Sequence, residues 1–322
     1  MNSKSLLLLF LLCLLCLSHS AQAQVYAHLK LRDAKLRYPK LNEIEFPGTT
    51  PTRATYDALY GHGAVCENEY VAFRVYMDHR QSLDLYGKRR PQLELDSTNF
   101  YTDAHWRAKG YGEDILYAGT SVAAGSFRGW EDGHLIYIER VGARGQRILK
   151  AGPDTAQVEV WDKDWQTNGK TLQMRQVYTM IRGKREMQVD IFLEGADDKD
   201  LFVTGVQKLE MDNEGFLGSR PKSRNRHRRE LKGLAASWGR NIPEKGHPEI
   251  IHGVGLGIYV PSLYLHHTQE DDLNYLCFVH PVDGHIRYYI AAYAWMQEEN
   301  GFAKAEDWFG WLEEWAASMI KL

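Results

Sequence analysis

The chain has 322 residues, with 39 Lys and Arg against 42 Asp and Glu and a formal net charge of −3. So even a balance excludes any general attraction to nucleic acid or to anionic membrane surfaces. Four cysteines are too few for a disulfide framework, so the core has to come from packing.

Residues 1–23 read as a secretory signal. Lys4 supplies the positive start, LLLLFLLCLLCL the apolar run, and Ala21-Gln22-Ala23 a small-x-small cleavage site. Cleavage would leave a soluble chain beginning at Gln24, periplasmic or secreted, with no membrane contact. Removing Lys4 leaves 38 basic against 42 acidic residues, a net charge of −4. Only Cys66 and Cys277 would remain. Two readings of them stay open. A bridge would stabilise by roughly 4–5 kcal/mol through loop closure, whereas two separate thiols would simply be buried.

Residues 24–60 form a Pro-punctuated leader with one alternating segment, AHLKLRDAKL. The next block, EYVAFRVYMD, alternates with the period of a strand. Glu69, Val71, Phe73, Val75 and Met77 fall on one face, and Tyr70, Ala72, Arg74, Tyr76 and Asp78 on the other. Two readings of the Arg–Tyr–Asp stripe stay open: the wall of a polar groove, or an ordinary outer face with a local Arg–Asp pair. Strands are predicted over 69–76, 82–86, 122–130, 134–139, 146–151, 156–162, 170–180, 186–193, 201–209, 251–260, 273–279 and 285–295. Asn168-Gly169 marks a tight hairpin, because both residues accept positive φ. The composition of Asp162-x-Asp164-x-x-x-Asn168-Gly169 resembles a calcium loop, but it lacks a closing Glu and reads as a turn. Residues 218–249 carry seven basic positions from Arg220 to Lys232 and read as a long solvated loop. The chain ends in a helix on which Trp308, Leu312, Trp315 and Met319 recur at helical spacing, a stripe for packing against a sheet. The expected architecture is all-β: one large, supersandwich-like β-sandwich domain over 24–322, closed by a short C-terminal helix.

No nucleophile elbow, phosphate loop, dinucleotide fingerprint or zinc helix is present. The chemistry has to be read from weaker constellations. His62, between Gly61 and Gly63, and His252, beside Gly253, have the side chain best suited to proton transfer near neutral pH. Asp78, Asp84 and Asp114 are candidate paired carboxylates. The basic loop has two readings, a site for sulfated or uronic-acid glycans or a solvated segment.

Glu67-Asn68, then AFRVY, then Asp84-x-Tyr-Gly-Lys88, then GYGEDILYAG resemble a bacterial family filed as domain of unknown function 4861. The likeness extends through Gly129-Trp130-Glu131-Asp132-Gly133 to the C-terminal YYIAAYAW. The chain departs from the family pattern at Lys109, where that pattern has a His, and at 122–125, where it has a glycine cluster. Members look like secreted proteins of polysaccharide-degrading bacteria, which implies carbohydrate work without naming a reaction.

The reading that follows is an exported carbohydrate-active enzyme, a lyase or dehydratase eliminating on uronic-acid-containing oligosaccharides. Arg74 is expected to neutralise the uronate carboxylate, His62 or His252 to act as base, and Tyr111 as acid, with Asp114 a further catalytic candidate. Tyr76, Lys88, Trp130 and His280 are expected to contact substrate. Oligosaccharide or polysaccharide fragments, anionic ones included, are the expected partners; no metal site and no cofactor is assigned. Two alternatives remain: a glycoside hydrolase with two facing carboxylates and no Arg between them, and a non-catalytic glycan-binding protein with a coplanar aromatic platform.

Overall fold

The computed structural model describes residues 25–220, 223, 226, 229–241, 253–291, 294–295, 297–299 and 301–320. The signal segment and His252 lie outside them. Among the described residues three antiparallel sheets form. The largest has ten strands, running from Met211–Leu217 through Leu234–Arg240, Gly253–Tyr259, His285–Ile290, Met187–Glu194, Lys170–Ile181, Thr155–Thr167 and Ala143–Ala151 to Glu43–Pro47, with Ala294–Trp295 beside Gly253–Tyr259.

Two smaller sheets cover one face of this large sheet. A six-stranded sheet orders as Lys40–Leu41, Val25–Lys30, Gly63–Asn68, Ala72–Tyr76, Leu83–Gly87 and Glu113–Asp114. A five-stranded sheet orders as Leu265–Glu270, Asn274–Val279, Phe202–Gln207, Arg128–Glu131 and His134–Ile136. Alternation decides which side chains meet between the layers. Val158 and Val160, Tyr178 and Met180, and Val189 and Ile191 point inward onto Phe73, Val75 and Leu85 in one continuous core. Gln146 ties the layers together: its amide oxygen accepts from Ala64 N (2.8 Å) and its amide nitrogen donates to Val75 O (3.0 Å). The all-β sandwich is therefore the observed architecture.

The opposite face of the large sheet is covered at one end by the helix Ala305–Met319. Trp308, Leu312 and Trp315 bury against Leu234, Ala236, Trp238 and Tyr259. Gly255 and Gly257 make room, since a Cβ at either would sit within 2.7 Å or 2.4 Å of Trp308 or Leu312 respectively. The tryptophan stripe is thus core, as its spacing predicted. Trp315→Ala should lower unfolding stability by roughly 3–5 kcal/mol, read by urea titration; unchanged stability would mean that the helix is not held by this stripe.

Three parts of the sequence reading are corrected. The leader is structured: Val25–Lys30 and Glu43–Pro47 each complete a sheet, and Thr52–Ala58 is a helix. The supposed loop over 218–249 contains the strand Leu234–Arg240, with Leu231 and Leu234 fully buried. At its start, Arg220 is anchored to Glu306 and Glu313 of the terminal helix at 2.7 and 3.1 Å. The strand read as 69–76 begins only at Ala72. Asn68 ends the preceding strand by accepting from Tyr70 N and Val71 N, both at 2.9 Å, which folds Glu69 out of the ladder. Asn168 and Gly169 do sit at φ 49° and 70° in the expected hairpin. Cys66 and Cys277 are separate buried thiols; burial pushes both up to about 12, which keeps them protonated.

Candidate functional site

The outer face of Ala72–Tyr76 carries the polar stripe, and it is buried. Arg74 is 3% exposed. Its Nη2 donates to Asp84 Oδ2 at 2.6 Å, to Asp114 Oδ2 at 2.9 Å and to the Tyr76 hydroxyl at 3.0 Å. Its Nε also reaches Asp84 Oδ2 at 3.0 Å, and its Nη1 reaches the Tyr101 hydroxyl at 3.0 Å. The Phe100 ring lies 4.2 Å from the guanidinium carbon. Strand register places these groups together: Arg74 pairs with Asp84, and Tyr86, two residues on, pairs with Asp114. Burial opposes the Arg74 charge; Asp84 and Asp114 more than offset that and hold the guanidinium charged.

Two carboxyl groups on one guanidinium nitrogen cannot be equivalent. Asp84 is 1% exposed and also accepts from the Tyr76 hydroxyl at 2.6 Å. The Asp114 side chain keeps 31% exposure at the rim. Burial, then the neighbouring Asp84, pushes Asp114 up to about 8 against the pull of Arg74. Asp114 therefore keeps its proton to higher pH than an ordinary carboxyl group, beside an aromatic wall.

His62 stands on that wall. Its ring stacks on Tyr56 at 3.8 Å and 10°, and lies edge-on to Tyr101 at 6.2 Å. Nδ1 is 2.9 Å from Tyr56 O. A carbonyl can only accept, so Nδ1 carries the hydrogen and Nε2 is the basic nitrogen. Burial lowers the His62 pKa, against that carbonyl, so the imidazole is neutral at pH 7. Gly61 and His62 occupy consecutive left-handed positions, φ 81° and 66°, in the turn between Thr52–Ala58 and Gly63–Asn68. A non-glycine residue held there is strained, and such strain concentrates at functional sites. Arg80 completes the rim, with its guanidinium carbon 5.3 Å from the Tyr56 ring and 5.1 Å from the Tyr76 ring. Asp78 holds its Nε at 2.7 Å.

The structure thus brings together Arg74, Tyr76, Asp114 and His62 from the sequence candidates, and places Lys88, Tyr111, Trp130 and His280 elsewhere; His252 lies outside the described residues. Arg74 is not a free clamp: its donors serve Asp84, Asp114 and two tyrosines. Lys88 is interior, donating to Glu67 at 2.5 Å and to Asn68 O and Gln92 O at 2.6 Å. Glu67 in turn accepts from Glu94 N and Leu95 N, so this part of the family motif holds the fold. Tyr111 packs on Trp106 at 4.7 Å, and no described contact joins it to Arg74. Trp130, in the five-stranded sheet, lies edge-on to Phe278, and His280, just past that sheet's strand Asn274–Val279, turns to Pro281 O. Sequence reasoning missed Tyr101 and Tyr56. Tyr101 follows two left-handed residues, Asn99 and Phe100, at φ 48° and 75°, and no periodic signal aims such a loop.

Residues 16–321 match the family described as "Domain of unknown function (DUF4861)". The chain belongs to this family. No curated protein matches it. Among solved structures, it is similar at 8% identity and TM-score 0.35 to a protein of Klebsiella pneumoniae described as an aldose 1-epimerase, covering 92% of this chain and 96% of that one. A TPR-domain-containing protein of Parabacteroides distasonis has 9% identity and TM-score 0.36, over 85% of this chain and 55% of that one. A GH36 alpha-galactosidase of Geobacillus stearothermophilus has 11% identity and TM-score 0.30, over 71% of this chain and 40% of that one. Likeness of this size leaves the chemistry of the DUF4861 site to be argued from its residues.

Proposed function

We propose that this DUF4861 protein is an exported carbohydrate-active enzyme that performs β-elimination on uronic-acid-containing oligosaccharides at the His62–Asp114 rim. One observation carries the reading: a neutral imidazole with Nε2 as its basic nitrogen and a protonated carboxyl group share one aromatic-walled cluster. Acid–base chemistry needs that pair, poised near the working pH. His62 Nε2 takes the proton on the carbon next to the uronate carboxylate. That electron pair forms the carbon–carbon double bond as the neighbouring C–O bond breaks. The leaving oxygen takes the Asp114 proton. Arg80, held by Asp78 between two tyrosines, offers the cation that stabilises the developing charge. Tyr56 and Tyr101 supply ring faces and a hydroxyl for the sugar. Arg74 positions Asp84 and Asp114 and does not engage the substrate.

Elimination is preferred to hydrolysis here because Asp84 is buried and Arg74 stands between the two carboxyls. The test is incubation with pectic, alginate-like and sulfated oligosaccharides. Elimination is expected to yield a product whose new conjugated double bond absorbs in the ultraviolet. Released sugar without that absorbance would replace elimination by hydrolysis. A saccharide that binds unaltered would leave a binding protein.

A further inference from the structure

The helix Ala305–Met319 covers only one end of the outer face of the large sheet. The other end carries a trough of about 370 Å³. We infer that this trough is a second saccharide site, separate from the His62–Asp114 rim, that takes an uncharged stretch of a glycan chain through stacking on Trp161. Strand register sets one straight row across the sheet: Glu45, Gly145, Trp161, Arg175, Phe192 and His285 are successive cross-strand partners. All point away from the core, because their neighbours Phe46, Val160, Met174 and Ile191 point into it.

Gly145 is what lays the indole down. A Cβ there would sit 2.0 Å from Trp161 Cζ2, so the ring occupies the space that any other residue would fill. Its Nε1 reaches over Gly145 to Glu45 Oε2 at 2.7 Å. The ring therefore lies across two strands at the wall of the trough, with the Arg147 guanidinium carbon 5.5 Å from its centroid. Sugars present flat C–H faces to such a surface and hydroxyls to the polar groups around it.

The charges select the class. Glu159 is fully buried although it faces outward, because Arg147 and Arg175 both cap it; Arg175 Nη1 is 2.8 Å away. Lys163 is paired with Glu45 at 2.7 Å. Arg147 and Arg175 share Glu159, and Lys163 pairs with Glu45, while Glu43 and Glu194 also line the trough, so it offers a dense set of hydrogen-bond donors and acceptors with no surplus positive charge to draw an anion.

The probes are two neutral linear hexasaccharides, a β-1,4-glucan and a β-1,4-galactan, titrated while the indole N–H resonances are followed by NMR. The Trp161 signal is identified by its loss in Trp161→Phe. It should shift saturably with at least one probe. Trp161→Ala should weaken that binding about tenfold, the size of a lost aromatic stack, and leave turnover of the uronate substrate unchanged. Asp114→Asn should abolish turnover and leave this binding intact, so failure of the elimination reading would not be mistaken for failure of the trough. The inference is overturned if neither probe moves the Trp161 signal, or if the affinity survives in Trp161→Ala. It is also overturned if binding is lost in Asp114→Asn, since the saccharide then sits at the rim.

Discussion

Asp114→Asn should lower turnover by roughly 10²–10⁴-fold, the usual range for removing a general acid, while keeping the fold. Asn matches the shape of the protonated carboxyl and can still accept from Arg74, but it has no proton to give. The pH dependence of the wild type carries the same signature. The Asp114 carboxyl must be protonated to act, and its value of about 8 sets the upper limit. His62 must be neutral, and its lowered pKa places the lower limit below that of an ordinary imidazole. The kcat/KM profile should therefore be a bell whose alkaline limb falls near 8, and a limb well away from that value would mean that another group is the acid. Stability should show it too. A carboxyl raised from 3.8 to about 8 in the folded state adds stability that is present at low pH and lost as pH rises through about 8. Asp114→Asn cannot ionise, so near pH 9 it should melt above the wild type, and the difference should vanish toward pH 4. An Asn variant that melted below the wild type near pH 9, with the gap closing as the pH fell, would show that Asp114 is an ionised carboxylate, and the acid would have to be sought elsewhere.

Much of this site was legible as faces and little of it as partners. Alternation alone placed Arg74 and Tyr76 on one side of a strand and Val71, Phe73 and Val75 on the other, because a strand has only two faces. It could not say that Phe100 and Tyr101 would cap the polar side, since that depends on a loop held by left-handed residues and on a short helix at Leu95–Thr98. His62 was visible through its flanking glycines, which mark a tight turn. Lys88 and Tyr111 misled for one reason. Both stand in the family motif, and a motif records a shared need without saying whether folding or chemistry imposes it. Lys88 answers the buried Glu67, and Tyr111 answers Trp106. The leader was misread because Lys40–Leu41 and Glu43–Pro47 are short edge pieces, and Val25–Lys30 lies inside its sheet, buried at nearly every position, so its polar residues break the alternation of a half-exposed strand. Gly145 and Trp161 sit on separate strands, and only register sets one on the other.

Arg74→Ala should be the most destabilising single change in the cluster, at roughly 3–5 kcal/mol by urea unfolding at neutral pH. Removing one partner of a buried ion pair leaves the other charged and unsolvated, and here Asp84 loses two donors from Arg74 while it is 1% exposed. The Phe100 ring also loses the planar group that covers it. Arg74→Lys should recover only part of the loss, because a single ammonium cannot serve Asp84, Asp114 and Tyr101 from one point as the guanidinium fork does. Arg74→Met with Asp84→Asn should be clearly more stable than Arg74→Ala alone, since the charge left behind is removed along with its partner. The double variant should nonetheless be inactive, because nothing then holds Asp114 at the rim or keeps its carboxyl beside a second one. These outcomes separate the two roles open to this arginine. A residue that only clamped a substrate carboxylate would leave the melting temperature untouched on removal, and the double variant would melt no higher than the single one. If Arg74→Ala folds with wild-type stability and has lost only its activity, Arg74 reaches the substrate after all, and Asp84 and Asp114 hold it only until a uronate takes their place.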